Sequence, residues 1–64
     1  MVVNGKEMPL EAPCSVTDLV KSLGYDASRI AILLNGTVLP KEAFATTEVS
    51  AADKLEIVQF VGGG

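Results

Sequence analysis

Sixty-four residues, 48% of them hydrophobic and only 20% charged, make one small domain with an aliphatic core and no need of a metal or disulfide staple. The chain has no histidine and a single cysteine, and its carboxylates are not clustered, which removes zinc sites, histidine-based triads and most general acid–base pairs. Five scattered basic residues against eight acidic ones leave a net charge of −3, so nucleic-acid binding is disfavoured, and no apolar run approaches the roughly 18–20 residues of a membrane helix. Elimination therefore favours a binding or carrier role over an enzyme. The lone Cys14 cannot form an internal bridge, and with no signal-peptide pattern ahead of it a cytoplasmic protein is expected.

Met1, Val2 and Val3 form a short apolar start, followed by Asn4-Gly5, the pair that supplies both positive-φ positions of a type I′ hairpin turn. Residues 6–11 read as the return strand, with Met8 and Leu10 on one face and Pro9, which lacks an N–H, pointing to an outer strand or an irregularity. Ser15 is a natural helix N-cap, with Asp18 three residues on as a variant capping box. Val16, Leu19, Val20 and Leu23 share one helical face, and Gly24 supplies a left-handed stop. A helix of about nine residues results, too short to stand without a sheet beneath it. Cys14 precedes the cap, where it can form a hydrophobic staple with Leu19, so a structural role fits it better than a reactive thiol.

Residues 25–29 read as a connector. Residues 30–34 are a continuous apolar strand closed by Asn35-Gly36, a second hairpin turn; residues 37–39 return and Pro40 stops them. Residues 41–44 form a single helical turn anchored by Phe44. Residues 46–50 are a loop with Val49 inward, and residues 51–54 turn into a last strand over residues 55–60. Two hairpin-like pairs flank one helix. The first and last strands must lie side by side, or the helix would have no continuous sheet to cover. That arrangement is an α+β fold of β-grasp type, a mixed sheet of four to five strands with one helix packed across it.

Side chains alternate along a strand. Glu56 belongs in water, so Leu55 and Ile57 face the helix while Val58 and Phe60 point away. In the strand before, Ile30, Ile32 and Leu34 face inward, Ala31 and Leu33 outward. Leu33, Val58 and Phe60 are therefore expected to form an apolar, partner-binding patch. The last strand runs into Val61-Gly62-Gly63-Gly64. Residues 1–61 are expected to be the folded domain and residues 62–64 a flexible tail, reaching about 10 Å beyond it when extended. Without β-carbons, Gly62 and Gly63 can thread a narrow channel and present the carboxylate of Gly64. A frayed tail with no function is the alternative.

The chain resembles the bacterial sulfur carriers of thiamin biosynthesis, the ThiS-like relatives of ubiquitin. The resemblance spans essentially the whole chain. It rests on Val3-Asn4-Gly5-Lys6, the helix over residues 16–23, the run Leu33-Leu34-Asn35-Gly36-Thr37-Val38-Leu39-Pro40-Lys41 and, most specifically, residues 55–64 with their glycine end. It departs where Ala51-Ala52-Asp53 replaces the usual glycine-containing acidic turn, and in a short first strand. The resemblance implies a ubiquitin-like fold with no catalytic residue, no bound cofactor and no metal. An adenylyltransferase similar to ubiquitin-activating enzymes (ThiF-like) would consume ATP to activate Gly64. A cysteine desulfurase would supply sulfur, and a thiazole synthase (ThiG-like) would take it from a Gly64 thiocarboxylate. The small subunit of molybdopterin synthase shares fold and glycine end, and a ubiquitin-like protein modifier or a β-grasp interaction module remain open alternatives.

Overall fold

The computed structural model describes residues 1–60; Val61 and the expected tail, Gly62, Gly63 and Gly64, lie outside the described residues. The strands are β1 (Val2–Val3), β2 (Lys6–Glu7), β3 (Cys14–Ser15), β4 (Ile30–Leu34), β5 (Thr37–Leu39), β6 (Glu48–Val49) and β7 (Lys54–Gln59), with one helix, α1 (Val16–Ser22). Five of them form a mixed sheet in the order β2-β1-β7-β4-β5. As the sequence requires, β1 and β7 pair in parallel at the centre. The fold is the β-grasp.

Both Asn-Gly pairs are turns of the expected kind, with Asn4 and Asn35 at φ 51° and Gly5 and Gly36 at φ 80° and 85°. Each asparagine does a second task. The Asn4 side-chain oxygen accepts from the Ile57 N–H at 2.7 Å, and that of Asn35 accepts from the Lys54 N–H at 2.9 Å. The two turns thus grip the same central strand, β7, with polar atoms that a glycine would not supply. The Asn35 amide also donates to the Asp53 carboxylate at 3.1 Å. That carboxylate accepts the Ser50 N–H at 2.8 Å, so the turn at residues 51–53 closes through Asp53 without a positive-φ residue. This is why Ala51-Ala52-Asp53 can stand where a glycine was expected.

Helix α1 starts where the Ser15 hydroxyl accepts from the Asp18 N–H at 3.1 Å. Only this half of the capping box forms among the described residues, since no bond runs back from the Asp18 carboxylate. At the far end Gly24, at φ 84°, donates to the Lys21 carbonyl, and Tyr25 donates to that of Val20. These two bonds make a Schellman stop. The helix lays Val16, Leu19 and Val20 on Val3, Ile30, Ile32, Leu55 and Ile57 of the sheet, and Phe44 and Val49 close the same core.

Two expectations need correction. The return strand stops at Glu7 instead of running to residue 11, because Pro9 has no N–H with which to continue the ladder. Residues 46–50 are not all loop: Glu48–Val49 pairs antiparallel with Cys14–Ser15, making a second, two-stranded sheet. Val49 is inward as expected, and the single helical turn at Lys41–Ala43 is a 3-10 turn leading into buried Phe44.

Candidate functional site

The register of β4 and β7 sets the outer face of the sheet. Ala31 lies opposite Val58, and Leu33 opposite Glu56, while Ile32 meets Ile57 on the buried side. Antiparallel partners share a face, so Ala31, Leu33, Glu56 and Val58 all point away from the helix. Across the second hairpin Leu33 is also opposite Val38, which adds β5 to the same face. Val38, Val58 and Phe60 are the large hydrophobic residues left exposed among those described, at 67%, 48% and 58%. Leu33 is half-buried between them. The result is an apolar strip crossing β5, β4 and β7, with Glu56 on its rim. Single exposed apolar side chains are ordinary, whereas several on one sheet face mark a surface that another molecule covers.

All three patch residues expected from sequence, Leu33, Val58 and Phe60, thus fall on this face. Val38 was missed, although the signal was present. A two-residue turn at Asn35-Gly36 pairs Leu34 with Thr37, so Val38 must stand beside Leu33.

Phe60 sits one residue beyond β7. Its N–H donates to the Arg29 carbonyl at 2.9 Å, so backbone pairing continues one residue past each strand, to Phe60 and Arg29. Arg29 and Lys41 adjoin it, and Asp26 and Ser28 are bonded to these two. The Asp26 carboxylate accepts the Ser28 N–H and hydroxyl, at 3.0 and 2.7 Å, and its Oδ2 lies 3.6 Å from Arg29 Nε. These Ser28 hydrogen bonds hold its pKa below the usual carboxylate value. Asp53, at the other end of β7, is likewise lowered, chiefly by the Asn35 amide and the Ser50 N–H.

Among the described residues no group of three histidine, cysteine, aspartate or glutamate side chains is placed to hold a metal. Cys14 is half-buried in β3, opposite Val49. A groove of about 350 Å³ between the first hairpin and the helix end, lined by Val3, Asn4, Lys6, Glu7, Met8, Leu23 and Tyr25, shares no residue with the strip. The candidate site is therefore the exposed apolar strip across β5, β4 and β7, next to the last described residue, Phe60.

The sequence profile of the ThiS family matches residues 1–64. The chain belongs to the ThiS family. Members of the ThiS family are small sulfur carriers of thiamine biosynthesis, with the β-grasp fold found here. The crystal structure of the thiamine biosynthesis protein ThiS from Geobacter metallireducens superposes with a TM-score of 0.83 at 38% identity, covering 98% of this chain and 96% of that one. An uncharacterized protein, ycf40, of Porphyra purpurea is 39% identical over 62 residues, 97% of this chain and 87% of its own length. A thiazole synthase of Paramagnetospirillum magneticum is 41% identical over 64 residues, all of this chain. The chain spans about a fifth of the length of that thiazole synthase. No helix of the described residues is long and apolar enough to cross a membrane.

Proposed function

We propose that this ThiS-family chain carries sulfur on the carboxylate of Gly64 and delivers it for thiazole formation in thiamin biosynthesis. The observation that carries this reading is the apolar strip of Val38, Leu33, Val58 and Phe60, which crosses β5, β4 and β7 and ends one residue before the three glycines of the sequence. The strip gives a partner a surface to grip, and the glycines give its active site an unhindered filament to admit. On this reading the chain contributes its terminal carboxylate as the reacting group, and its partners contribute the catalytic machinery. It acts as a co-substrate of other enzymes.

The chemistry follows from what a carboxylate lacks. It resists nucleophiles because its leaving group would be oxide. In the adenylating partner, a Gly64 oxygen attacks the α-phosphorus of ATP, an O–P bond forms, and pyrophosphate departs. The resulting acyl-adenylate has AMP as its leaving group. The outer sulfur of a persulfide, charged by a cysteine desulfurase, attacks the acyl carbon and displaces AMP, giving an acyl disulfide. A second thiol of the partner then attacks the cysteine-side sulfur, forming a disulfide and releasing the thiocarboxylate on Gly64. Thiazole synthase is the proposed acceptor. The occurrence of a carrier-like stretch within a thiazole synthase supports this pairing. Gly62 and Gly63 serve access in every step, since each enzyme must accommodate the same glycine backbone.

The test is the intact mass of the protein purified from cells and after incubation with the adenylating partner, ATP and a sulfur source. Exchange of one terminal oxygen for sulfur is the expected result. Removing Gly64 is expected to abolish that exchange and leave the melting curve unchanged. Unaltered mass under loading conditions overturns the carrier reading, and isopeptide adducts of Gly64 on other proteins favour a protein modifier instead.

A further inference from the structure

Lys41 begins the 3-10 turn after β5, and its ammonium makes two contacts that its neighbours in sequence do not explain. Its Nζ donates to the Ser28 carbonyl at 3.0 Å, thirteen residues away in the chain. The same Nζ stands 5.8 Å from the centroid of the Phe60 ring. That distance is within the reach of a cation–π attraction, which persists at exposed positions because the ring quadrupole needs no desolvated site. Ser28 is itself held by the Asp26 carboxylate through both its N–H and its hydroxyl. An ordered series therefore runs from Asp26 to Ser28 to Lys41 and ends on the most exposed aromatic ring of the docking face.

We propose that Lys41 is a positioning residue for Phe60: tethered to the Ser28 carbonyl, its ammonium fixes the aromatic ring at the exit of β7 before any partner arrives. The backbone of Phe60 is fixed by its bond to Arg29, but more than half of the residue is exposed, and the sheet alone does not hold the ring. A ring held in place loses less freedom on docking, so the same contact binds more tightly. That the held ring is a docking contact rests on the sulfur-carrier reading. The clamp itself does not.

Two measurements separate the clamp from that reading. In proton NMR of the free protein, the Lys41 ε-methylene protons are expected upfield of ordinary lysine values because they adjoin the Nζ that stands over the Phe60 ring. Phe60→Leu returns them to the ordinary value, and Lys41→Arg keeps the Phe60 ring resonances close to those of the parent. Lysine protons at ordinary values, unmoved by Phe60→Leu, overturn the proposal. In titrations with the adenylating partner, Lys41→Met is expected to weaken binding about two- to five-fold, the range of an exposed cation–π contact. In a Phe60→Leu background it has no further effect, and melting curves of all variants match. Equal weakening in both backgrounds overturns the proposal, because Lys41 then touches the partner directly. A parent protein that does not bind the adenylating partner at all defeats the carrier reading, while the NMR shifts still decide the clamp.

Discussion

The two faces of β7 are made from one six-residue stretch, and they differ in almost every physical respect. Leu55 and Ile57 lie under the helix, at 0% and 7% exposure, whereas Glu56 and Val58 face solvent. The inner face is complete: helix, β1 and β4 satisfy it, and no polar side-chain atom is left buried without a partner among the described residues. The outer face is incomplete, with valines and a phenylalanine open to water. A sheet needs one covered face to be stable; the second is then available for a partner. Stability and recognition can therefore be altered separately along one strand.

Ile32→Ala tests the inner face most severely. A fully buried isoleucine at the centre of the sheet is expected to cost about 2–5 kcal/mol, the range for emptying a core site. Urea denaturation measures it, and a cost below about 1 kcal/mol would show the core able to collapse around the gap.

The next effect probes how β7 is held between the faces. Asn4→Gly keeps the positive-φ turn but strips the acceptor from the partly buried Ile57 N–H, with an expected loss of about 1–3 kcal/mol. Asn35→Gly makes the same change at the exposed Lys54 N–H, where water can substitute, and should cost less. Equal losses would mean that the asparagines act through the unfolded chain instead.

Acid titration gives a smaller, directional effect. Asp53 has a folded-state pKa below its unfolded value of about 3.9, so its contribution is fully present above that value and is lost as pH falls through the lower, folded one. Melting temperatures of the parent and Asp53→Asn should therefore converge as the pH drops below about 4. A constant gap from pH 6 to 2 would contradict this.

The smallest stability change belongs to the outer face. Phe60→Asp is expected to leave unfolding free energy within about 0.5 kcal/mol, as at most exposed sites, while sharply weakening association with the adenylating partner. Unfolding of that variant would show the outer face to be part of the core after all.

Much of this contrast was legible in the chain. Glu56 fixed the register of β7, the two Asn-Gly pairs located both hairpins, and Ser15 and Gly24 bracketed the helix. Features made by few residues or by distant ones were not. The pairing of Cys14–Ser15 with Glu48–Val49 involves two residues on each side, too few to show a period of two. The 3-10 turn at Ala27–Arg29 had a local signal in Asp26, which caps it through Ser28. That turn read only as connector. The contact of Lys41 with Phe60 joins residues nineteen apart, and only the assembled sheet brings them together.

The parallel pairing of β1 with β7 has a consequence for biosynthesis. Asn4 and Ile57 are 53 positions apart and share a hydrogen bond across the middle of the sheet. A chain emerging from the ribosome therefore has no central partner for its first strand until β7, some fifty residues later, has been translated, and the entropic cost of closing so long a loop is met late. Prematurely terminated products that lack β7 cannot assemble the sheet. Folding thus waits on β7, and the strip that crosses β5, β4 and β7 exists only on chains that contain it.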